Sequence, residues 1–516
     1  MVPIATKSPS SHEKLRIAFI HPDLGIGGAE RLVVDAAIGL QDEGHEVVIY
    51  SSHCDKTHCF EEVKTGRLKV EVLGDFWPTS FNGKFFILFA NLRQLYLTAA
   101  LAATGKIKRH DLYIVDQLST CVPFLGLLSR ASKVLFYCHF PDQLLAQRTS
   151  LVKRLYRIPF DVLEQLTMNA ADRIVVNSNF TKSIYHKTFR LMAQVPNVVY
   201  PCVGLEVSEA SKLDAERFDA IISPNTKFYL SVNRYERKKN VGLAIRAFAQ
   251  SSQSSRENIK LVIVGGYDAR VWENKIYLEE LENLAQSLKL PFATLHYATW
   301  GKELAPLAPE IQSAKIIFLT SVSSSFKDLL LQKTEMLLYT PSYEHFGIVP
   351  LEAMKLGKPV LAVNNGGPLE TVVAVSESSP NDECTGWLKP SDPAEWATAI
   401  EESGPVLEKS PTVFEKSGPK RVRELFSREA MTAQCEKNIA SLSWDSMSRP
   451  LSFHIFFCCL SLLVALPVAL VAGFHSWSFR LISFGLFALM RDFSSFGCIL
   501  IIVIAACLQA KSSLRL

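Results

Sequence analysis

Several familiar signatures are missing from this 516-residue sequence, and each absence removes a function class. A formal net charge of +4 is too small to mark a nucleic-acid surface. The eleven cysteines have no paired spacing, and several sit in apolar runs (Cys138, Cys458, Cys459, Cys498, Cys507). That favours reduced thiols and a cytosolic setting over a disulfide framework. His53-Cys54 and His58-Cys59 fit no zinc spacing, and no second ligand pair follows, so no metal site is expected. Residues Met1–Lys14 are polar and lack the apolar core of a signal peptide; a disordered lead is expected there. The dinucleotide fingerprint is also incomplete. Arg16–His21 reads as an apolar strand, but the glycines after it run Gly25-Ile26-Gly27-Gly28, with Glu30 where the third glycine belongs. The next strand, Glu46–Tyr50, ends in Ser51-Ser52, with no acid for a ribose.

What is present is a long α/β pattern. The length calls for at least two domains. Strand, glycine turn, helix and strand over residues 16–50 read as the start of a parallel βαβ sheet. The Gly27-Gly28 loop suits close approach to a phosphate or sugar. A tight turn with close helix packing explains the same glycines. Further strands end at Asp116 and at His139-Phe140-Pro141-Asp142. In open parallel sheets ligands sit beyond the carboxyl ends of strands, so His139 and Asp142 are candidates for substrate contact. A histidine satisfied within the fold is the plainer reading. Lys84–Thr104 is apolar but broken by Asn91, Arg93 and Gln94; a buried domain helix is the first expectation and a helix in the membrane surface the second. Arg148–Arg157 holds four basic residues, read as a solvated helix face or a contact for anionic lipid or a pyrophosphate acceptor.

In the second half, the strand Lys227–Val232 delivers Asn233-Arg234-Tyr235-Glu236-Arg237-Lys238-Lys239-Asn240 just before a helix. Cations at a helix N-terminus make an anion site, and Arg234 and Lys239 are the choices for a diphosphate. The stretch 291–315 loses its periodicity among three prolines and reads as an inserted loop. Then comes Tyr339–Glu370, with Glu344 and Glu352 bracketing seven residues. Pro350 suits the first turn of a helix that Gly357 would cap, which puts Glu352 in that first turn. Glu344 falls on the preceding loop with His345. After the next strand, Gly366-Gly367-Pro368 opens another helix, with backbone N–H groups expected to face a phosphate.

Together HPDLGIGGAERLVVDAA, FYCHFPDQLL, NRYERKKN, GGYDARV, LYTPSYEHFGIVPLEAM and AVNNGGPLE resemble the retaining glycosyltransferases of family 4, and most closely the alpha-1,3/alpha-1,6-mannosyltransferases of dolichol-linked oligosaccharide assembly. The resemblance implies the GT-B fold: two Rossmann-like α/β domains facing a cleft, here 15–205 on the acceptor side and 206–440 for the sugar nucleotide. It implies transfer of mannose from GDP-mannose to a monomannosylated chitobiosyl diphosphodolichol, without a tightly bound cofactor. By the same resemblance Arg234, Lys239 and Glu344 carry catalysis. Gly27, Gly28, Glu352, Gly366, Gly367 and His345 hold the donor, and His139 and Asp142 serve the acceptor side. Other early mannosyltransferases are implied as partners. The alternatives left standing are a family 4 transferase with another sugar nucleotide, and a non-catalytic membrane scaffold.

At the C-terminal end Leu451–Gly473 runs 23 residues without formal charge, long enough to span a bilayer. Phe493–Leu508 is sixteen residues and short for a span. A hairpin of membrane segments within 451–509 is expected, with the α/β domains on the cytosolic face of the endoplasmic reticulum membrane. The Asn179-Phe180-Thr181 sequon would then stay unmodified.

Overall fold

The computed structural model describes residues 14–300, 309–375, 383–444, 449–457 and 460, apart from 147, 191 and 193. They form two units. The first runs through Val176 and includes 184–197 and the chain from Glu436 onward; the second holds Asn177–Ser183 and Val198–Cys435. Contiguous domains divided at 205 and 206 were expected, and the chain is instead interleaved. Within the second unit, Ser178 Oγ donates to the His345 carbonyl at 2.6 Å and Glu370 accepts the Asn179 and Phe180 N–H groups, both at 2.8 Å, which claims the start of helix Asn179–Thr188. Within the first, His45 meets Glu436 at 2.7 Å and Arg173 donates to the Ser441 carbonyl at 3.0 Å, which brings the chain back.

The first unit is built on β1 (Arg16–His21), β2 (Glu46–Ser51), β3 (Lys69–Val72), β4 (Leu112–Asp116), β5 (Lys133–Cys138), β6 (Arg173–Val176) and β7 (Asn197–Val198), in the order β3-β2-β1-β4-β5-β6-β7. The pairings from β3 to β6 are all parallel. The second sheet runs β10 (Phe292–His296), β11 (Ile316–Thr320), β9 (Ile259–Gly265), β8 (Lys227–Val232), β12 (Met336–Tyr339), β13 (Val360–Val363) and β14 (Gly386–Lys389), parallel throughout. Parallel strands are covered on both faces and so read as continuous apolar runs; β4, β9 and β11 are buried along their whole length. In the first sheet the chain builds outward from β1 and then returns to its other side; in the second it does the same from β8, except that β11 is laid between β9 and the edge strand β10. The order reverses between β1 and β4, and again between β8 and β12.

Part of the stretch expected to be an insertion is core. Phe292–His296 pairs with Ile316–Thr320 over five positions and buries Ala293 and Leu295. The proline before it sits where an edge strand tolerates one, and its carbonyl accepts the Lys315 and Ile316 N–H groups at 2.7 and 3.1 Å.

Helix Phe86–Ala103 is the one helix among the described residues long and apolar enough to cross a membrane, and its burial reverses the first expectation. Its polar side chains face inward. Arg93 donates to the Ser52 carbonyl at 3.0 Å, and Gln94 donates to the Leu118 carbonyl at 2.6 Å while accepting the Cys121 N–H at 3.1 Å. Phe85, Phe86, Leu88 and Tyr96 are exposed. The polar groups go in because the unit supplies carbonyl and amide partners there, which offsets most of the penalty for burying them, the Arg93 Nε alone of this set lacking a partner.

Only the start of the expected membrane region is described, as a helix from Leu451 to Phe457; the remainder of 451–509, Leu460 apart, lies outside the described residues, as do residues 1–13 of the expected lead. That start is fixed to the first unit by Arg449. Its guanidinium meets Asp172 at 2.7 Å and donates to the carbonyls of Gly126, Ser129, Arg130 and Ser132, with the side chain 6% exposed. Phe456 and Phe457 pack edge-on against Phe124. Removing one partner of a buried ion pair strands the other, at about 3–5 kcal/mol. Arg449→Ala is therefore expected to lower the thermal midpoint of the first unit sharply, and Arg449→Lys to recover only part of it, as read by differential scanning fluorimetry.

Candidate active site

Open parallel sheets leave a crevice where the strand order reverses. In the second unit that place is between β8 and β12, and the loops leaving these strands carry Arg234, Lys239 and Glu344. After β8 the chain makes a short 3-10 turn over Arg237–Lys239 and closes it at Asn240 in the left-handed region (φ 49°). Thr340, just past β12, donates to the Lys239 carbonyl at 2.7 Å. The Lys239 ammonium then meets Glu344 Oε2 at 2.6 Å, with the side chains 14% and 25% exposed. Arg234 stands further out, 67% exposed and 3.2 Å from Glu236. The structure thus brings Lys239 and Glu344 together and leaves Arg234 at the surface beside them.

The Glu344 loop is held by backbone contacts at close quarters. The Tyr343 N–H donates to Asn365 Oδ1 at 2.6 Å. Gly347 opens helix Ile348–Met354 at φ 86°, and a Cβ there would lie 2.9 Å from the Tyr339 hydroxyl. Burial, with Glu344 and Glu352 nearby, raises the Tyr339 phenol well above its ordinary range, so it stays protonated. His345 contributes its carbonyl to Ser178.

Two expectations for this segment change. The helix begins at Ile348, two residues before Pro350, because Gly347 already supplies the entry turn. Glu352 is then the fifth helical residue, past the first turn, and its carboxylate accepts from Lys327 Nζ at 2.7 Å. The turn at Gly366-Gly367 does not present both N–H groups outward: the Gly367 N–H donates to the Glu344 carbonyl at 2.8 Å. A Cβ on Gly367 would strike the Phe346 carbonyl, and one on Gly366 (φ 67°) would lie 2.6 Å from the Glu344 carbonyl. These glycines let the Glu344 loop press against the end of β13. The N–H groups of Leu369 and Glu370 bond back to Gly366 and Gly367, at 3.3 and 2.9 Å.

In the first unit the order reverses between β1 and β4, which places His21 beside Asp116. His21 Nδ1 lies 2.8 Å from Asp116 Oδ1, and His139 Nε2, just past β5, lies 3.0 Å from Asp116 Oδ2. His21 Nε2 meets the Asp23 carbonyl at 2.8 Å. Burial works against charge on His21, but Asp116 and, less strongly, Glu30 outweigh it and hold the imidazole protonated, its pKa raised to about 10. Asp116 remains ionised despite its burial, because both histidines face it. Gly27 precedes helix Gly28–Asp42 in extended backbone, and a Cβ there would run into the Glu30 carboxylate; Gly28 has open space around it. Asp142 is engaged by Arg157 at 2.6 Å. The basic tract is thus divided: Arg157 turns inward, Arg148 meets Asp161 at 2.8 Å, and Lys153 and Arg154 stay exposed.

Lys327 was not among the residues singled out, and His21 was read only as a strand end aiming polar groups at the same edge as Asp116 and His139. Lys327 follows the same strand, turn and helix succession as Lys239, with Ser323 capping its helix, and that pattern was there to be read.

The profile described as Glycosyltransferase Family 4 matches residues 26–207, and that described as Glycosyl transferases group 1 matches 214–298 and 302–404. The chain is 57% identical over 432 residues to Alpha-1,3/1,6-mannosyltransferase ALG2 of Saccharomyces cerevisiae, covering 84% of this chain and 86% of that protein. It is 57% identical to the protein of the same name from Kluyveromyces lactis, over 91% of this chain and 93% of the other. The Candida albicans counterpart is 48% identical over 83% of this chain and 98% of its own length. Among solved structures, sucrose-phosphate synthase from Thermosynechococcus elongatus aligns with a TM-score of 0.59 at 19% identity, covering 84% of this chain and all of that one. HepE of Anabaena, solved with UDP, aligns at 0.57 and 19%, over 83% of this chain and all of its own. At such identity these structures attest the two-sheet GT-B fold alone.

The buried histidine yields a pH dependence. A pKa raised by folding adds stability that is complete below the ordinary histidine value of about 6.5 and is lost as pH climbs toward the raised one. The thermal midpoint of the first unit is expected to fall between pH 7 and pH 10. Asp116→Asn is expected to lower the midpoint at pH 7 and flatten that fall, as measured by thermal melts across the pH range.

Proposed function

The chain belongs to the alpha-1,3/1,6-mannosyltransferases of Glycosyltransferase Family 4, and on that premise we propose that it transfers mannose from GDP-mannose to a monomannosylated chitobiosyl diphosphodolichol, once in alpha-1,3 and once in alpha-1,6 linkage. The observation that carries the chemistry is the Lys239 ammonium, fixed 2.6 Å from Glu344 beyond the ends of β8 and β12. Breaking the bond between mannose C1 and the phosphate oxygen puts negative charge on the departing diphosphate and positive character on the sugar. A cation already held in place answers the first without reorganising, and such preorganised electrostatics is usually the largest catalytic contribution. Arg234, exposed at the same strand end, adds a planar donor for a second phosphate oxygen. Glu344 sits on the sugar side, and Glu352 takes ribose hydroxyls in exchange with Lys327. Donor and product linkages are both alpha, so configuration is retained. The acceptor hydroxyl bonds to C1 on the face the diphosphate leaves, and its proton passes to the departing phosphate oxygen. His139 and Asp142 serve the acceptor side.

The lipid acceptor requires a membrane, and the first unit is suited to one. Phe85, Phe86 and Leu88 on one helix, and Leu151, Leu155, Ile158 and Val162 along helix Leu151–Met168, are exposed. Phe85 packs against Tyr156 across the two helices, their ring centroids 5.6 Å apart. Exposed apolar surface of this extent flanked by Lys84, Lys153 and Arg154 fits the cytosolic leaflet of the endoplasmic reticulum. Asn179 Nδ2 is engaged by Glu370 at 2.9 Å and Tyr200 at 3.1 Å, an arrangement a glycan would break, which agrees with a cytosolic site.

Incubating the purified membrane protein with GDP-mannose and the monomannosyl chitobiosyl diphospholipid is expected to add two mannoses. No product, or transfer from UDP-sugars only, overturns the assignment. In that assay Lys239→Ala should reduce turnover by about 100-fold or more, the loss typical when a preorganised donor to developing charge is removed. Its thermal midpoint should change little, since the pair is partly exposed. Near-normal turnover would take Lys239 out of the mechanism.

A further inference from the structure

We propose that Glu164 is a positioning residue, holding the turn that carries His139 and Asp142 by accepting the Asp142 and Gln143 backbone N–H groups. The inference rests on the acceptor-side role proposed above for those two residues.

Glu164 lies near the end of helix Leu151–Met168, and its two carboxylate oxygens lie 2.7 and 3.2 Å from those amide nitrogens. The turn they belong to leaves β5 through His139-Phe140-Pro141, and a proline there gives no N–H of its own to hold it. Two turns earlier on the same helix, Arg157 meets the Asp142 carboxylate at 2.6 Å. One turn later, Thr167 meets Ser119 at 2.7 Å, and Ser119 follows β4. A single helix thus grips the segments leaving the two strands that end at Asp116 and Cys138.

The ionised carboxylate is the form that accepts both N–H groups. Burial pushes Glu164 up to about 7; the two amide bonds oppose that rise, while Asp142 and Asp161 add to it. Arg157 is the cation facing the group, and the Cys138 thiol at the end of β5 faces it as well. Below about pH 7 one oxygen carries a proton and no longer accepts well, so one of the two N–H bonds weakens and the turn is held less tightly. Because folding raises this acid's pKa, ionising it lowers stability as pH rises from the ordinary carboxyl range through about 7. Holding the turn and stabilising the fold therefore have opposite pH dependence, which separates a positioning role from a merely structural one.

Glu164→Gln and Glu164→Asp, in the full-length membrane protein, test this with the lipid acceptor varied at saturating GDP-mannose. Glu164→Gln is expected to lower kcat/KM for the acceptor about tenfold at pH 8, to leave the donor KM unchanged, and to lose the wild-type rise in activity around pH 7. Glu164→Asp should restore part of the rate. Protection of the amides in residues 139–145, taken relative to the intrinsic base-catalysed exchange rate at each pH, should be lower at pH 6 than at pH 8 in the wild type and low at both in Glu164→Gln. Wild-type acceptor kinetics and pH profile in Glu164→Gln, or unchanged amide protection, would overturn the proposal. A wild-type protein that transfers no mannose would overturn the proposed function instead, while the exchange measurement would still decide whether Glu164 holds the turn.

Discussion

Parallel strand pairing is the constraint on which the rest depends. When every neighbour in a sheet runs the same way, all carboxyl ends come out on one edge, and each connection must cross back over a face. The loops on that edge are the ones free to vary, and the gap between them opens only where the strand order reverses. Both sheets obey this. In the second, the reversal lies between β8 and β12, and Lys239 and Glu344 come from those two strands although 105 positions separate them in the chain. In the first, β1 and β4 bring His21 and Asp116 together across 95 positions. Neither pair is set by local sequence; each follows from the order in which strands were added.

Within that frame, charge is largely committed before any ligand arrives. Lys239 faces Glu344, Lys327 faces Glu352, Arg157 faces Asp142, and a protonated His21 faces Asp116. The three lysine and arginine pairs are partly exposed and add little stability, so their value lies in geometry, whereas the buried His21–Asp116 pair also stabilises the first unit. An ammonium already fixed at a strand end has lost its side-chain freedom on folding rather than on binding. The glycines act to the same end. Gly366 and Gly367 let backbone approach backbone, Gly347 makes room for the Tyr339 ring, and this closeness keeps Glu344 on a short, tied loop.

Most of the strands were legible because full burial writes them as continuous apolar runs. RIAFIH, LYIVD and KFYLSV coincide with β1, β4 and β8. Edge strands are covered on one side only, and there the signal failed. Lys69–Val72 is barely buried and carries Lys and Glu, and Phe292–His296 follows a proline. The candidate site was legible where a residue type at a strand end was enough, as for Lys239 and Glu344. It was misread where a side chain or amide had an internal partner that no local pattern announces. The Gly367 N–H goes to a carbonyl two dozen residues away, and Glu370, in a motif that suggests ligand contact, caps helix Asn179–Thr188 instead.

The helix Phe86–Ala103 was expected to be buried because it is apolar, yet it turns Asn91, Arg93, Gln94 and Thr98 inward and leaves Phe86, Leu88 and Tyr96 exposed. Water is a poor neighbour for these: fully burying a Phe or Leu side chain gains about 1.5–3 kcal/mol, and this unit leaves several out. Asn91, Gln94 and Thr98 are hydrogen-bonded and Arg93 donates through its Nη2, with its buried Nε left without a partner, so most of the cost of turning the polar face inward is offset. Arg449 ties the start of the apolar C-terminal region to the same unit through Asp172 and four carbonyls. A unit that fastens an apolar segment to itself and also leaves apolar side chains exposed on this helix fits the membrane setting proposed for it. The lipid-linked acceptor proposed for this enzyme has its tail in that same phase.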